Sequence, residues 1–199
     1  MRATPESPRM FDNDLLDGLS RTPWWTVPLL WLPVISVLFI YGVYAHDLPV
    51  LPAIGVASAG WLTWTFTEYG LHRTLFHWKP QTRWGPRLHF ILHGVHHDWH
   101  QDPYRLVMPP SVSILLSILF GAGFYLLAGS TWFWAFHAGF IAGYVFYDVA
   151  HYSLHHHKIR NPLFLKLKKH HLLHHHSKAH SERKFGVSTT LWDHVFRTF

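Results

Sequence analysis

Three long intervals of the chain carry no Asp, Glu, Lys or Arg. They run over 22–46, 48–67 and 106–147, and hold 25, 20 and 42 residues. A membrane-spanning helix needs about 20 predominantly apolar residues. The first two intervals therefore predict one span each, and the third predicts two, divided near Gly129-Ser130. The expected spans are about 24–45, 48–69, 111–128 and 131–150. Pro28 and Pro33 fall in the first, where a membrane helix tolerates them because neighbouring groups re-satisfy the freed backbone. This pattern predicts an all-α integral membrane protein with about four transmembrane helices.

Two of these helices run on past the apolar stretch with polar residues in helical register. Glu68 and His72 are four apart and share a face. His77 is five past His72, about 140° round an ideal α-helix, so the chain must bend there if both serve one site. At the end of the last span Tyr144, Asp148, His151 and His155 stand at i, i+4, i+7 and i+11, a polar stripe leaving the membrane. Asn161-Pro162 breaks that helix, and a further one is expected over 163–176.

Charge sets the orientation. All 17 Lys and Arg lie in the N-terminal segment, in 73–105, or from Lys158 onward. By the positive-inside rule both termini and the histidine-rich segments 72–105 and 151–199 face the cytoplasm, the latter forming a helical cap. Residues 1–21 are expected to be a cytoplasmic tail with a short helix near 11–19, and 22–199 a single membrane-embedded domain. The net charge of +6 is thus a topology signal. Basic residues that flank spans and form no separate module argue against nucleic-acid binding. The absence of cysteine excludes thiolate zinc sites, iron–sulfur clusters and structural disulfides.

Twenty histidines are the remaining signal. His171, His174 and His175 stand at i, i+3 and i+4 and share one helical face. His93, His96 and His97 repeat the spacing, and His72 with His77 and His151 with His155 complete four clusters. Ten imidazoles are too many for one tetrahedral ion and suit a pair of first-row metals. His46, His137, His180 and His194 are isolated polar residues, while His89, His100, His156, His157, His170 and His176 are groups that support the ligands, or simply neighbours of the clusters, with ligation the lesser alternative. Two divalent ions among neutral imidazoles need offsetting charge and hydrogen-bond acceptors. Glu68 and Asp148, the acids embedded at the span ends, are expected to supply both, with Tyr144 and Tyr147 lining the pocket. No catalytic side chain beyond the dimetal centre is expected. Zinc would favour hydrolysis through a bound water and iron would favour O₂ activation; spacing alone leaves both open.

The boxes resemble the fatty acid hydroxylase superfamily of non-haem di-iron membrane oxygenases. Leu92-His93-Gly94-Val95-His96-His97, Tyr104-Arg105-Leu106-Val107-Met108-Pro109-Pro110 and Tyr147-Asp148-Val149-Ala150-His151-Tyr152-Ser153-Leu154-His155-His156 resemble its fatty acid 2-hydroxylases. So do Phe185-Gly186-Val187-Ser188 and Leu191-Trp192-Asp193. The resemblance implies O₂-dependent hydroxylation at C2 of a long acyl chain, free or within a ceramide-like membrane lipid. It implies two iron ions, with zinc able to occupy the site in isolated protein, held by His72, His77, His93, His96, His97, His151, His155, His171, His174 and His175. Many eukaryotic relatives carry an N-terminal cytochrome b5 domain with a His-Pro-Gly-Gly motif, which is missing here. The expected electron donor is therefore a separate cytochrome b5-like or ferredoxin-like protein with its reductase. The membrane is expected to be the cytoplasmic one in a bacterium and the endoplasmic reticulum in a eukaryote. Competing readings are a sterol C4-methyl oxidase or desaturase, a carotenoid hydroxylase, a zinc-dependent membrane hydrolase and a metal transporter or store.

Overall fold

A computed structural model describes residues 8–199, so the first seven residues of the expected tail lie outside it. Every regular element among the described residues is helical. A short α1 (Asp14–Leu19) precedes α2 (Thr26–Ala45) and α3 (Val50–Leu71), and α3 continues into a π-helical turn over His72–Phe76. Then come α4 (Gly85–His89), a second π-helical turn (Phe90–Gly94), α5 (Val95–Asp98), α6 (Pro110–His156), α7 (Pro162–His176) and α8 (Leu191–Val195).

Three helical stretches are long and apolar enough to cross a membrane: Thr26–Ala45, Val50–Phe76 and Pro110–His156. The third is a hairpin. At Gly129 the backbone turns to φ 69°, ψ 173°, a conformation glycine adopts without a Cβ clash. Ring contacts then pair positions placed symmetrically about it: Phe120 with Phe140 at 5.2 Å, Phe124 with Phe136 at 4.9 Å and Tyr125 with Phe133 at 5.4 Å. The returning arm packs against α2 and α3. Its approach to α3 is close enough that a Cβ on Gly139 would strike the Ala57 carbonyl, the small-residue contact by which membrane helices gain packing. Leu29, Leu51, Leu126 and Leu127 stay exposed, as befits surfaces facing lipid.

The segment expected as a tail is docked, and α1 falls within the short helix expected near 11–19. Asn13 caps α1 through the Leu16 N–H at 3.1 Å, and the buried Asp17 carboxylate meets Arg105 at 2.9 Å and Arg21 at 3.0 Å. The Thr22 N–H donates to the Tyr104 carbonyl at 2.8 Å. Burial alone would raise the Asp17 pKa. The Met10 and Phe11 amides and the two guanidiniums outweigh it and hold the group far below the carboxylate range. This brace ties the start of α2 to the chain leaving the second histidine cluster.

Candidate metal centre

All ten histidines of the four clusters converge, and they sort into two groups of five. His72, His77, His93, His97 and His174 form one; His96, His151, His155, His171 and His175 form the other. Within each group one ring nitrogen from every member lies within 4.8 Å of all the others. Nitrogens bound to one ion at about 2.0–2.1 Å are themselves separated by at most about 4 Å, so each group is the size of a single coordination sphere.

Local backbone geometry makes this possible. A five-residue step does not return to the same face of an α-helix. The π-helical turn over His72–Phe76 widens the helix to an i→i+5 repeat, and so brings His77 round beside His72, with ring centroids 5.2 Å apart. The second π-helical turn (Phe90–Gly94) carries His93 into the first group, while α5 begins at Val95 and sends His96 to the second. From α7, His174 goes to the first group, and His171 and His175 to the second.

The arrangement of the nitrogens suits a cation. His171 Nε2 lies 2.8 Å from that of His155 and 3.0 Å from those of His151 and His175. One ring nitrogen carries at most one proton, so it cannot hydrogen-bond to three such neighbours. Protonating the rings is no remedy. Burial, reinforced by neighbouring imidazoles, pushes His93, His96, His171 and His175 well below the ordinary value of 6.5. His77 is lowered to about 3 and His97 to about 2, by burial first and His174 next. Converging neutral imidazoles with surplus lone pairs fit a divalent first-row metal in each group.

The two groups are held differently. In the first, His72 Nδ1 donates to the Phe185 carbonyl at 2.5 Å and His174 Nδ1 to the Arg183 carbonyl at 2.6 Å. Each bond fixes the tautomer that leaves Nε2 as a lone pair. In the second group the Nδ1 atoms of His96, His151, His171 and His175 have no protein acceptor. Ring packing orients them instead, as where His151 meets His171 edge-on at 4.6 Å.

Glu68 and Asp148 sit beside the site without touching an imidazole. Glu68 accepts from the Val187 N–H at 2.7 Å, from the Ser188 N–H at 2.9 Å and from the Ser188 hydroxyl. Asp148 accepts from the Met108 N–H at 3.1 Å. Both therefore hold backbone segments that flank the histidines, and for His72 and His174 main-chain carbonyls are the acceptors. Tyr147 packs on His151 with centroids 5.6 Å apart, and Tyr144 lines an apolar slot with Trp31, Trp64, Leu71, Met108 and Phe140.

Asp193 is the residue that spacing did not find. Wholly buried, it accepts from His170 Nε2 at 3.0 Å, from the Phe185 and Gly186 amides at 2.9 Å each and from Thr198 Oγ at 2.7 Å. Burial would raise its pKa, but the hydrogen bonds from His170, Thr198 and Gly186 hold it below the ordinary value. It thereby builds the turn that presents the Phe185 carbonyl to His72. His170, a neighbour of the cluster, serves this turn and neither group of five.

The model of the fatty acid hydroxylase family matches residues 57–198, which include all ten of these histidines. The chain belongs to that family. It is 41% identical to the dihydroceramide fatty acyl 2-hydroxylase FAH2 of Arabidopsis thaliana, over 97% of this chain and 80% of that one. It is 42% identical to the ceramide very long chain fatty acid hydroxylase SCS7 of Saccharomyces cerevisiae, over 96% of this chain and 49% of that one. A fatty acid 2-hydroxylase of Mus musculus is 35% identical over 96% of this chain and 56% of its own length. The chain thus spans about half the length of the yeast and mouse relatives. The solved structure of Scs7p in which the hydroxylase domain is visible superposes with a TM-score of 0.87, at 41% identity, over 95% of this chain and 70% of that one.

Proposed function

We propose that this member of the family hydroxylates the C2 position of a long acyl chain, carried as a free acid or as the amide of a ceramide-like lipid. The balance is one C–H bond and one O₂, with two electrons and two protons, converted to one C–OH and one water. The observation that carries this reading is the pair of five-imidazole groups beside an apolar slot within a bundle of membrane-length helices. Two iron ions held by the ten histidines would supply the reductive activation of O₂ that an unactivated C–H bond requires.

The rest falls to the chain's own residues. The slot is lined by Leu71, adjacent to His72, and by Tyr144, two helical turns before His151. An acyl chain entering it from the bilayer is held with its head toward the histidines and its tail among Trp31, Phe120 and Phe140. The indole N–H of Trp31 is occupied by Ser113 Oγ at 3.3 Å, whereas Trp64 Nε1 and the Tyr144 hydroxyl, also from lining residues, have no hydrogen-bond partner in the protein. Neither this slot nor a roomier apolar groove bounded by Ile35, Phe39, Ile54 and Trp61 has a histidine in its lining. The slot reaches Leu71, adjacent to His72, whereas along α3 the groove comes no nearer than Trp61, so the slot is the one suited to place C2 for reaction. With four crossings both termini and the metal centre lie on the cytoplasmic side, where a separate protein donor delivers the electrons.

The test is lipid mass spectrometry of cells producing the chain or a His174→Ala, His175→Ala variant. A gain of one oxygen at C2 of acyl chains with the unchanged protein alone is the expected result. Oxygen on a sterol or carotenoid would replace the substrate assignment. Turnover that persists without O₂ and reductant would replace hydroxylation with hydrolysis.

A further inference from the structure

The two groups of five differ in their access to water. The first lies near the surface, where the exposed Glu182 carboxylate is 3.9 Å from His77 Nδ1. In the second, His96, His151, His171 and His175 are buried and only His155 is half-buried. No carboxylate lies among its donors. An ion bound there must nevertheless arrive from solvent with its water shell and exchange those waters for imidazoles.

Two histidines outside the ten lie on the way. His176 is exposed at the end of α7. Its ring stands 4.9 Å from that of His100, which is only 6% exposed. The His100 ring is in turn 6.1 Å from His155 and 6.2 Å from His175. His100 Nδ1 is buried without a hydrogen-bond partner, a state that costs free energy unless some ligand uses the atom. The series His176, His100, then His155 and His175 steps from solvent to the buried group in ring-to-ring strides.

We propose that His176 and His100 form the port through which a first-row divalent cation reaches and leaves the second group. His176 takes the hydrated ion in exchange for a water. His100 accepts it next, and His155 and His175 draw it into the five-fold site, where the larger number of ligands holds it. Neutral imidazole suits this passage because it binds such ions without fixing them through charge. The inference rests on the reading that the ten histidines hold two ions.

The experiment uses the zinc-loaded protein in detergent, mixed with an excess of a chromogenic chelator, since release must retrace the path of uptake. Zinc per chain is measured first. The unchanged protein is expected to carry two ions and to release them in two phases. His176→Ala and His100→Leu are expected to retain two ions and to slow one phase by about tenfold, which corresponds to a release barrier higher by about 1.4 kcal/mol. His46→Ala, at the opposite turn of the bundle, leaves both phases unchanged. His176 is exposed, so its variant tests the port even if His100→Leu fails to fold. Unaltered or faster release in His176→Ala overturns the port. Loss of an ion from either variant overturns it too, since the residue is then a ligand. Fewer than two ions on the unchanged protein would instead overturn the dimetal reading itself.

Discussion

His72 Nδ1 donates its proton to the carbonyl of Phe185 at 2.5 Å, across 113 residues of sequence. This bond joins the metal-facing end of α3 to a loop whose position is set elsewhere, by Glu68 and Asp193. Glu68→Ala leaves the Val187 and Ser188 amides and the Ser188 hydroxyl without their buried acceptor. The expected cost is about 2–4 kcal/mol of stability, together with weaker retention of the ion in the first group, whose tautomers the loop fixes. The second group, oriented by packing, keeps its ion. Thermal unfolding and zinc content per chain report the two effects. A variant that unfolds earlier yet loses both ions equally would separate Glu68 from the first group.

Adjacent histidines on α7 give opposite outcomes. His171 Nε2 stands among three other ring nitrogens, whereas His170 Nε2 meets Asp193. His171→Ala is expected to abolish hydroxylation and lower metal content. His170→Ala keeps two ions per chain and loses about 1–3 kcal/mol, because the buried Asp193 carboxylate is left short of a donor. Metal analysis beside thermal melts distinguishes them, and equal metal loss in both would contradict the assignment of His170 to the turn.

Acid should act on the metal-free protein through the same histidines. His77 is held at about 3 and His97 at about 2, against 6.5 in the unfolded chain. Below pH 6.5 the unfolded chain therefore binds protons that the folded one refuses. The stability contributed by these groups is complete above 6.5 and falls as pH drops toward 3. Each contributes a slope of up to about 1.4 kcal/mol per pH unit. Melting temperatures of chelator-treated protein at pH 7.5 and 5.0 check the sign, and bound metal, which also needs the rings unprotonated, should leave the dependence at least as steep.

The Asp17–Arg105 pair predicts a non-additive double variant. Removing Asp17 leaves the buried Arg105 guanidinium without its close carboxylate and is expected to cost about 3–5 kcal/mol, whereas removing Arg105 leaves Asp17 paired with Arg21 and should cost less. Asp17→Asn with Arg105→Met together should cost much less than the sum. A double-variant cycle by thermal unfolding measures the coupling, and strictly additive losses would show that the brace does not act as a pair.

Legibility in the sequence followed the range of the interaction. Apolar intervals exposed the membrane-length helices, and the break at Gly129 fell where the longest interval was expected to divide. The i, i+3, i+4 spacing exposed His93, His96 and His97 with His171, His174 and His175, because both triplets stand on helical backbone. The bend required between His72 and His77 was legible, but its form was not. A π-helical turn arises from tertiary packing and leaves no periodic mark. Glu68 and Asp148 were found as buried acids beside the site, yet their partners are backbone amides brought from 119 and 40 residues away. The acceptors that fix His72 and His174 are main-chain carbonyls. Every residue owns such a group, so no residue type announces them.

Both groups of five draw on α7, and the carbonyl that orients His72 comes later still in the chain. During synthesis every membrane-length helix leaves the ribosome before either group is complete. A nascent chain offers an arriving ion only a partial set of imidazoles, from which it is readily lost. A complete ligand set for either group therefore exists only once α7 has been made, after every membrane-length helix.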